Sequence, residues 1–288
     1  MKTLITSSKH KSALLGRFGL AAMSFLSIFR AVVLLMGVAT NTAIANTDKD
    51  KDNISNQSPA ITVNLPIVQV EECHRKANYS IYLSGLHTGT MDRTEIWQGQ
   101  SAVITSISKA SILGIGTQYH QRAELSWSEQ TNQWLTINFH QKVSGFRSRD
   151  MQVTFNSNGL ESRVNLDGDI DSYASTNIPL RDVDTLAIQM REHLLQGRQQ
   201  FALIRQASDA MESYQYYVKP PQTQTIEPWG ELSLIPVEQT GAEDITYYFA
   251  PSLDYQLVKA RYHGIILQGV VELDSYSSTC GPISVQSR

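Results

Sequence analysis

Ala123-Glu-Leu-Ser-Trp127 and Leu135-Thr-Ile-Asn-Phe139 alternate apolar and polar side chains with a period of two, the mark of half-buried strands. Between them, Ser128-Glu-Gln-Thr-Asn-Gln-Trp134 is polar apart from its last residue. The two runs read as a hairpin. Its apolar faces, Ala123, Leu125 and Trp127 on one strand and Leu135, Ile137 and Phe139 on the other, reach one core only if Leu125 pairs with Ile137. A one-residue slip would turn one set to water. This register requires an odd-length loop around Thr131 and points Trp134, Thr136, Asn138 and His140 outward.

The alternation continues on both sides. Tyr79, Ile81 and Leu83 share a face, as do Val103, Thr105 and Ile107, and Met151, Val153 and Phe155; near the end, Leu267, Gly269, Val271 and Leu273 alternate with Gln268, Val270 and Glu272. One segment breaks the pattern. Between Arg181 and Gly197, the residues Val183, Leu186, Ala187, Met190 and Leu194 recur at helical spacing, with Asp182 placed to cap the first turn and Gly197 to close the last. The sequence predicts one amphipathic helix of about 13 residues with a single apolar stripe, which must pack on the sheet to be stable. Residues 66–282 therefore read as one mainly β domain, with a short tail at 283–288 and no internal repeat.

The start of the chain reads as an export signal. Residues 1–45 hold Lys2, Lys9, Lys11, Arg17 and Arg30 and no acidic residue; the apolar run Ala31–Ala39 follows, then Ala43-Ile-Ala45. Basic region, short apolar core and small-x-small site define a secretory signal cleaved after Ala45. The apolar core is far shorter than the roughly 20 residues that span a bilayer. An anchor built from residues 14–39 would put Arg17 and Arg30 in lipid at about 3 kcal/mol each. Arg30 divides the leader, and a start at Met23 leaves a basic region of ordinary size, so the functional signal is expected to be 23–45. Residues 46–65 open as a polar stretch without aromatics and read as a disordered tether.

Export changes the charge. The chain has 24 basic and 27 acidic residues; without the five basic residues of the leader, 19 face 27. A surface of that sign does not attract nucleic acid or anionic lipid, and the mature part has no membrane span. The two cysteines, Cys73 and Cys280, flank the domain. In an oxidising periplasm such a pair reads as a disulfide.

Motifs that carry chemistry are sparse. Asn165-Leu-Asp-Gly-Asp-Ile-Asp171 spaces oxygen ligands like part of a calcium loop, but Ile170 stands where such a loop needs glycine and no bidentate Glu follows. It reads as a solvated turn. His74, His87, His120, His140, His193 and His263 form no metal-ligand pair, and there is no Gly-x-Ser-x-Gly elbow. No catalytic residue, cofactor or metal site is expected. Among the tryptophans, Trp134 is the one this register exposes, a platform for stacking on a sugar.

Four segments, in order, resemble a bacterial envelope family, domain of unknown function 3108. They are Tyr79-Ser-Ile-Tyr-Leu-Ser-Gly-Leu-His-Thr-Gly89; the helix Asp182–Gly197; Thr225-Ile-Glu-Pro-Trp-Gly-Glu-Leu232; and Tyr247-Tyr-Phe-Ala-Pro-Ser-Leu-Asp-Tyr255 with Leu257-Val-Lys-Ala260. The chain departs from the family at Met190-Arg191, Phe249 and Gln256. The resemblance covers about residues 77 to 275 and implies a single strongly curved antiparallel sheet, a half-barrel, with the helix on its concave face, like the carriers of lipoproteins. It supplies no catalytic residues.

The function expected from these readings is a non-enzymatic periplasmic binding or chaperone-like protein for a hydrophobic envelope component, a lipid or lipoprotein. Leu186, Met190 and Leu194 form the helix lid over an apolar trough. Two alternatives stand beside it: an accessory protein that binds envelope polysaccharide or peptidoglycan through Trp134, and a hydrolase whose site is invisible in sequence.

Overall fold

Strands β1 (Glu72–Leu83), β2 (Leu86–Gln98), β3 (Ser101–Ile112), β4 (Ile115–Ser128) and β5 (Gln133–Gly145) form a long meander, continued by β6 (Arg149–Phe155), β7 (Glu161–Leu166) and β8 (Asp169–Ala174). After β9 (Leu180–Arg181) and helix α1 (Val183–Leu195) come β10 (Gln200–Gln206), β11 (Met211–Val218), β12 (Gln222–Ile226), β13 (Gly230–Gly241), β14 (Ile245–Ala250), β15 (Gln256–His263) and β16 (Gln268–Ser278). This computed structural model describes residues 71–112, 115–145, 148–264 and 268–281. The leader, its cleavage after Ala45, the start at Met23, the tether 46–65, the tail 283–288 and Leu267 lie outside the described residues.

The strands join in one sheet in the order β8-β7-β6-β5-β4-β3-β2-β1-β16-β15-β14-β13-β11-β10-β9, with β12 paired to β13. Two expectations change here. The sheet is mixed, because β9 pairs with β10 in parallel: the chain returns through α1 before β10 begins, and only a crossover can join parallel neighbours. The sheet is also barrel-like and nearly closed rather than a half-barrel. Strand twist accumulated over this many strands brings the two ends of the sheet together. At the seam Ser162 Oγ donates to Gln206 Oε1 (2.7 Å), Arg149 donates to Ser208 Oγ (3.4 Å) and the Leu180 N–H donates to the Gly159 carbonyl (2.7 Å).

The hairpin of β4 and β5 keeps the expected register over half its length. Ala123 pairs with Phe139 and Glu124 with Asn138, but a bulge between Glu124 and Leu125 then pairs Leu125 with Thr136 and Trp127 with Trp134. The connection is Glu129–Asn132, even in length. Asn138 and His140 face outward as expected, whereas Trp134 is 2% exposed and Thr136 is fully buried. The cause is local. β6 covers β5 only from Asn138 to Val143, so the start of β5 pairs with the chain that enters and forms α1. The Trp134 N–H donates to Gln189 Oε1 (2.8 Å), and its carbonyl accepts from Arg181 Nε (3.1 Å). An extra residue in one strand turns the side chains beyond it to the other face.

Cys73 and Cys280 are joined in a disulfide, 207 residues apart, beside the β1–β16 ladder that starts at Arg75 and Ser278. The calcium-like stretch is the β7–β8 hairpin. Asp167 (φ 55°) and Gly168 (φ 105°) form its two-residue turn, the geometry that favours Asp-Gly. Its oxygens are used internally: Asn165 Oδ1 accepts from the Gly168 N–H and Asp167 Oδ1 from the Asp150 N–H.

Candidate functional site: a cavity in the barrel lumen

Helix α1 lies inside the barrel and is buried on nearly every side; only Val183 and Ala187 are half-buried. The single buried stripe expected from sequence is therefore corrected. Asp184, Gln189, Arg191 and Glu192, which look like a solvent face, are all buried. Buried polar groups persist when they are paired: Asp184, Gln189 and Arg191 find partners on the barrel wall, and Glu192 accepts from Gln196 just past the helix (3.3 Å). Asp182 caps the helix by accepting from the N–H groups of Asp184 and Thr185, and it also accepts from Thr136 Oγ1 on β5 (2.7 Å). Burial, with Asp184 adjacent, raises its pKa. Arg93 on β2 donates to Asp184, whose Oδ1 also accepts from Ser106 on β3 (2.8 Å).

A second set of contacts holds the middle of the helix. Glu95 on β2 accepts from Arg93 Nε (3.1 Å), Trp97 Nε1 (3.1 Å) and Arg191 Nη2 (3.3 Å). Two guanidiniums stand against the Trp97 ring, Arg75 5.5 Å and Arg191 5.2 Å from its centre, distances typical of cation–π contact. Burial alone would raise the Glu95 pKa, but Arg191, Arg93 and Arg75 outweigh it and hold the carboxyl down at about 2. The helix is thus fixed to β2, β3 and β5 by charge and hydrogen bonds.

Its other sides meet apolar walls. Leu186, Met190 and Leu194 pack with Phe201, Leu203, Tyr214, Tyr216, Val237 and Phe249. Ile188 joins the cluster of Trp97, Leu125, Trp134 and Phe139. Between helix and wall remains a cavity of about 130 Å³. Val183, Ala187 and Arg191, spaced four apart on one face, line it together with Leu186 and Met190. Tyr79, Ile81, Ile245, Tyr247, Phe249 and Val271 supply much of the opposite wall. The cavity extends to strand ends at Leu83, Glu243 and Gly269, where the β1–β2, β13–β14 and β15–β16 connections lie.

A second charged cluster stands at that end. Arg205 on β10 donates from Nε to Glu212 Oε2 on β11 (2.7 Å), and Tyr214 Oη donates to the same oxygen (2.8 Å). Glu243, between β13 and β14, lies 3.6 Å from Arg205 Nη2. Burial pushes the Glu243 carboxyl up to about 7 against the pull of Arg205, and Glu212 adds to the rise. The approach to Glu243 depends on Gly241 (φ 142°), where a Cβ would stand 2.6 Å from the Ser213 carbonyl oxygen.

The sequence-derived lid residues are placed as follows. Leu186 and Met190 line the cavity, while Leu194 does not and packs into the adjoining core. The expected exposed platform, Trp134, is in the interior with its ring 5.0 Å from that of Trp97 and 5.4 Å from that of Trp127. Val183, Ala187 and Arg191 were legible as an i, i+4, i+8 row but not as the face toward a cavity. Glu243 sits in Gly-Ala-Glu-Asp, which reads as an ordinary polar turn.

The histidines do not converge on the cavity. His140 Nε2 is 2.8 Å from Asp150 with both side chains largely exposed, and His193 packs on Phe201 with burial, Arg198 and Arg181 lowering its pKa to about 4. Among the described residues, no three His, Cys, Asp or Glu side chains are grouped to hold a metal ion, and no helix is long and apolar enough to cross a membrane.

No family model and no curated protein matches the chain. Among solved structures it is similar to a beta-barrel-like protein of domain of unknown function 1849 from Brucella abortus. The match has 10% sequence identity and a TM-score of 0.51, and it covers 74% of this chain and all of that one. At this identity the likeness concerns the fold alone. It supports a β-barrel-like domain, and does not extend to domain of unknown function 3108 in particular.

Proposed function

We propose that this domain is a non-enzymatic binding or chaperone-like protein of the periplasm that shelters a hydrophobic part of an envelope component in its lumen. The observation that carries the reading is the cavity itself: an apolar-walled space that runs from the face of α1 to the strand ends. A core required only for stability is expected to close to native packing density. At about 130 Å³ it is smaller than the roughly 300–1,000 Å³ of pockets that enclose drug-sized ligands. That size favours a slender guest, such as one acyl chain. The disulfide agrees with an oxidising compartment, and the sequence resemblance to an envelope family points the same way. The glycan alternative loses its platform, because Trp134 is buried.

Native mass spectrometry of the protein purified from a periplasmic extract without detergent tests the reading. The expected spectrum contains a lipid-sized adduct that lipid extraction removes. A single apo mass, with no adduct after incubation with total envelope lipid, contradicts it.

A further inference from the structure

We infer that the guest carries an ammonium head, seated on Glu243, at the end of its apolar tail. This deepens the proposed function and rests on it. Glu243 is 6% exposed and lines the cavity, yet among the described residues neither carboxylate oxygen has a close hydrogen-bond partner. The described cation beside it is Arg205, whose Nη2 stands 3.6 Å off as a weak ion-pair contact and is itself engaged with Glu212. Two carboxylates thus share one guanidinium, and with both ionised the cluster is one positive charge short. A buried acceptor without a donor is costly, and a donor brought by a guest removes that cost.

The position is fixed in advance. Gln239 Nε2 donates to the Glu243 carbonyl (3.2 Å), while Gln239 Oε1 accepts from Tyr216 (2.8 Å) and Tyr247 (3.1 Å). Elsewhere along the cavity, among the described residues, Asp184 Oδ2 is a second acceptor without a partner, and Gln121 Nε2 is a donor without one. Among the described residues open acceptors therefore outnumber open donors, which favours a guest that donates. From Glu243 the wall continues through Ile245, Tyr247 and Phe249 to Leu186 and Met190, an apolar path for the tail.

The groups that face Glu243 are Arg205 on β10, Glu212, Tyr214 and Tyr216 on β11, Tyr247 on β14 and Tyr262 on β15, with Asp244 beside it in the chain. Arg205 is held above its ordinary pKa; burial raises all four tyrosines. These five keep one protonation state between pH 6 and 8. Glu243 changes state there, so an ammonium guest binds with release of its proton.

Calorimetric titration of the purified protein with octylamine, octanol, octanoate and ethylamine separates head from tail. Octylamine is expected to bind at least about ten-fold more tightly than octanol, octanoate or ethylamine, a ratio that one buried charge-assisted hydrogen bond can supply. Its affinity is expected to rise about ten-fold from pH 6 to pH 8, since an alkylamine stays protonated there as lysine does. Glu243→Gln, which keeps the shape of the protonated acid, is expected to abolish both the preference and the pH step. If the octyl compounds bind with no preference for the amine, the head inference falls and the proposed function stands. If octylamine keeps its advantage in Glu243→Gln, Glu243 is not the seat and the inference falls. If none binds, both fall.

Discussion

Glu95→Ala is expected to lower the unfolding free energy by about 3–5 kcal/mol, the loss that follows when one member of a buried ion network is removed. Glu95 accepts from Arg93, Arg191 and Trp97 inside the barrel, and its loss leaves Arg191 and Arg75 buried beside Trp97 without their shared carboxylate. For a domain of this size the melting temperature should fall by roughly 10 °C. The pH dependence has a definite sign. The folded-state pKa of about 2 lies below the ordinary value of 4.5, so the contribution of Glu95 is complete above pH 4.5 and is lost as pH falls towards 2. The shift corresponds to about 3 kcal/mol. Urea titrations from pH 2.5 to 7 should show a smaller acid-side loss in Glu95→Ala than in the parent. A change below about 1 kcal/mol at neutral pH would mean that the helix does not depend on this network.

Removal of the disulfide should have an effect of similar size. Cys73 and Cys280 close a loop of 207 residues, and in the chain-entropy model a link of that span restricts the unfolded chain by about 5 kcal/mol. In the folded state the bond lies next to a ladder that already holds the chain ends together, with the Thr279 N–H donating to the His74 carbonyl (2.9 Å). The fold should therefore survive its loss while its stability falls. Cys73→Ser/Cys280→Ser should match the parent in circular dichroism and unfold at a lower urea concentration. Reductant should move the parent to the same midpoint and leave the double variant unchanged. A double variant as stable as the oxidised parent would show that the bond restrains nothing.

Much of this architecture is legible along the chain. Period-two alternation marks the long strands, and Asp182 and Gly197 frame the helix where it is found. The β4–β5 register is only half legible, because Trp134 and Leu135 are adjacent apolar residues and either can face the core. What turns the strand is Arg181 and Gln189, which bind the Trp134 backbone from more than 45 positions along the chain. Closure of the barrel is hidden for a related reason. It depends on contacts such as Ser162–Gln206 and Arg149–Ser208, between residues whose local patterns carry no sign of each other. The polar positions of α1 mislead most directly. Asp184 and Arg191 look solvated until Arg93 and Glu95 are brought to them by β2.

On the proposed function, the space beside α1 is a binding site rather than a packing defect. Ala187 is half-buried and lines that space, so Ala187→Phe fills it from the helix side; overpacking at such a site costs about 1–3 kcal/mol. The decisive measurement is calorimetric titration of the parent and Ala187→Phe with octylamine, whose tail is a slender single chain, with thermal unfolding of both proteins followed in parallel. Saturable one-to-one binding by the parent and at least ten-fold weaker binding by a folded Ala187→Phe are expected. Equal affinity in the two proteins, or no saturable binding by the parent, would contradict the proposed function.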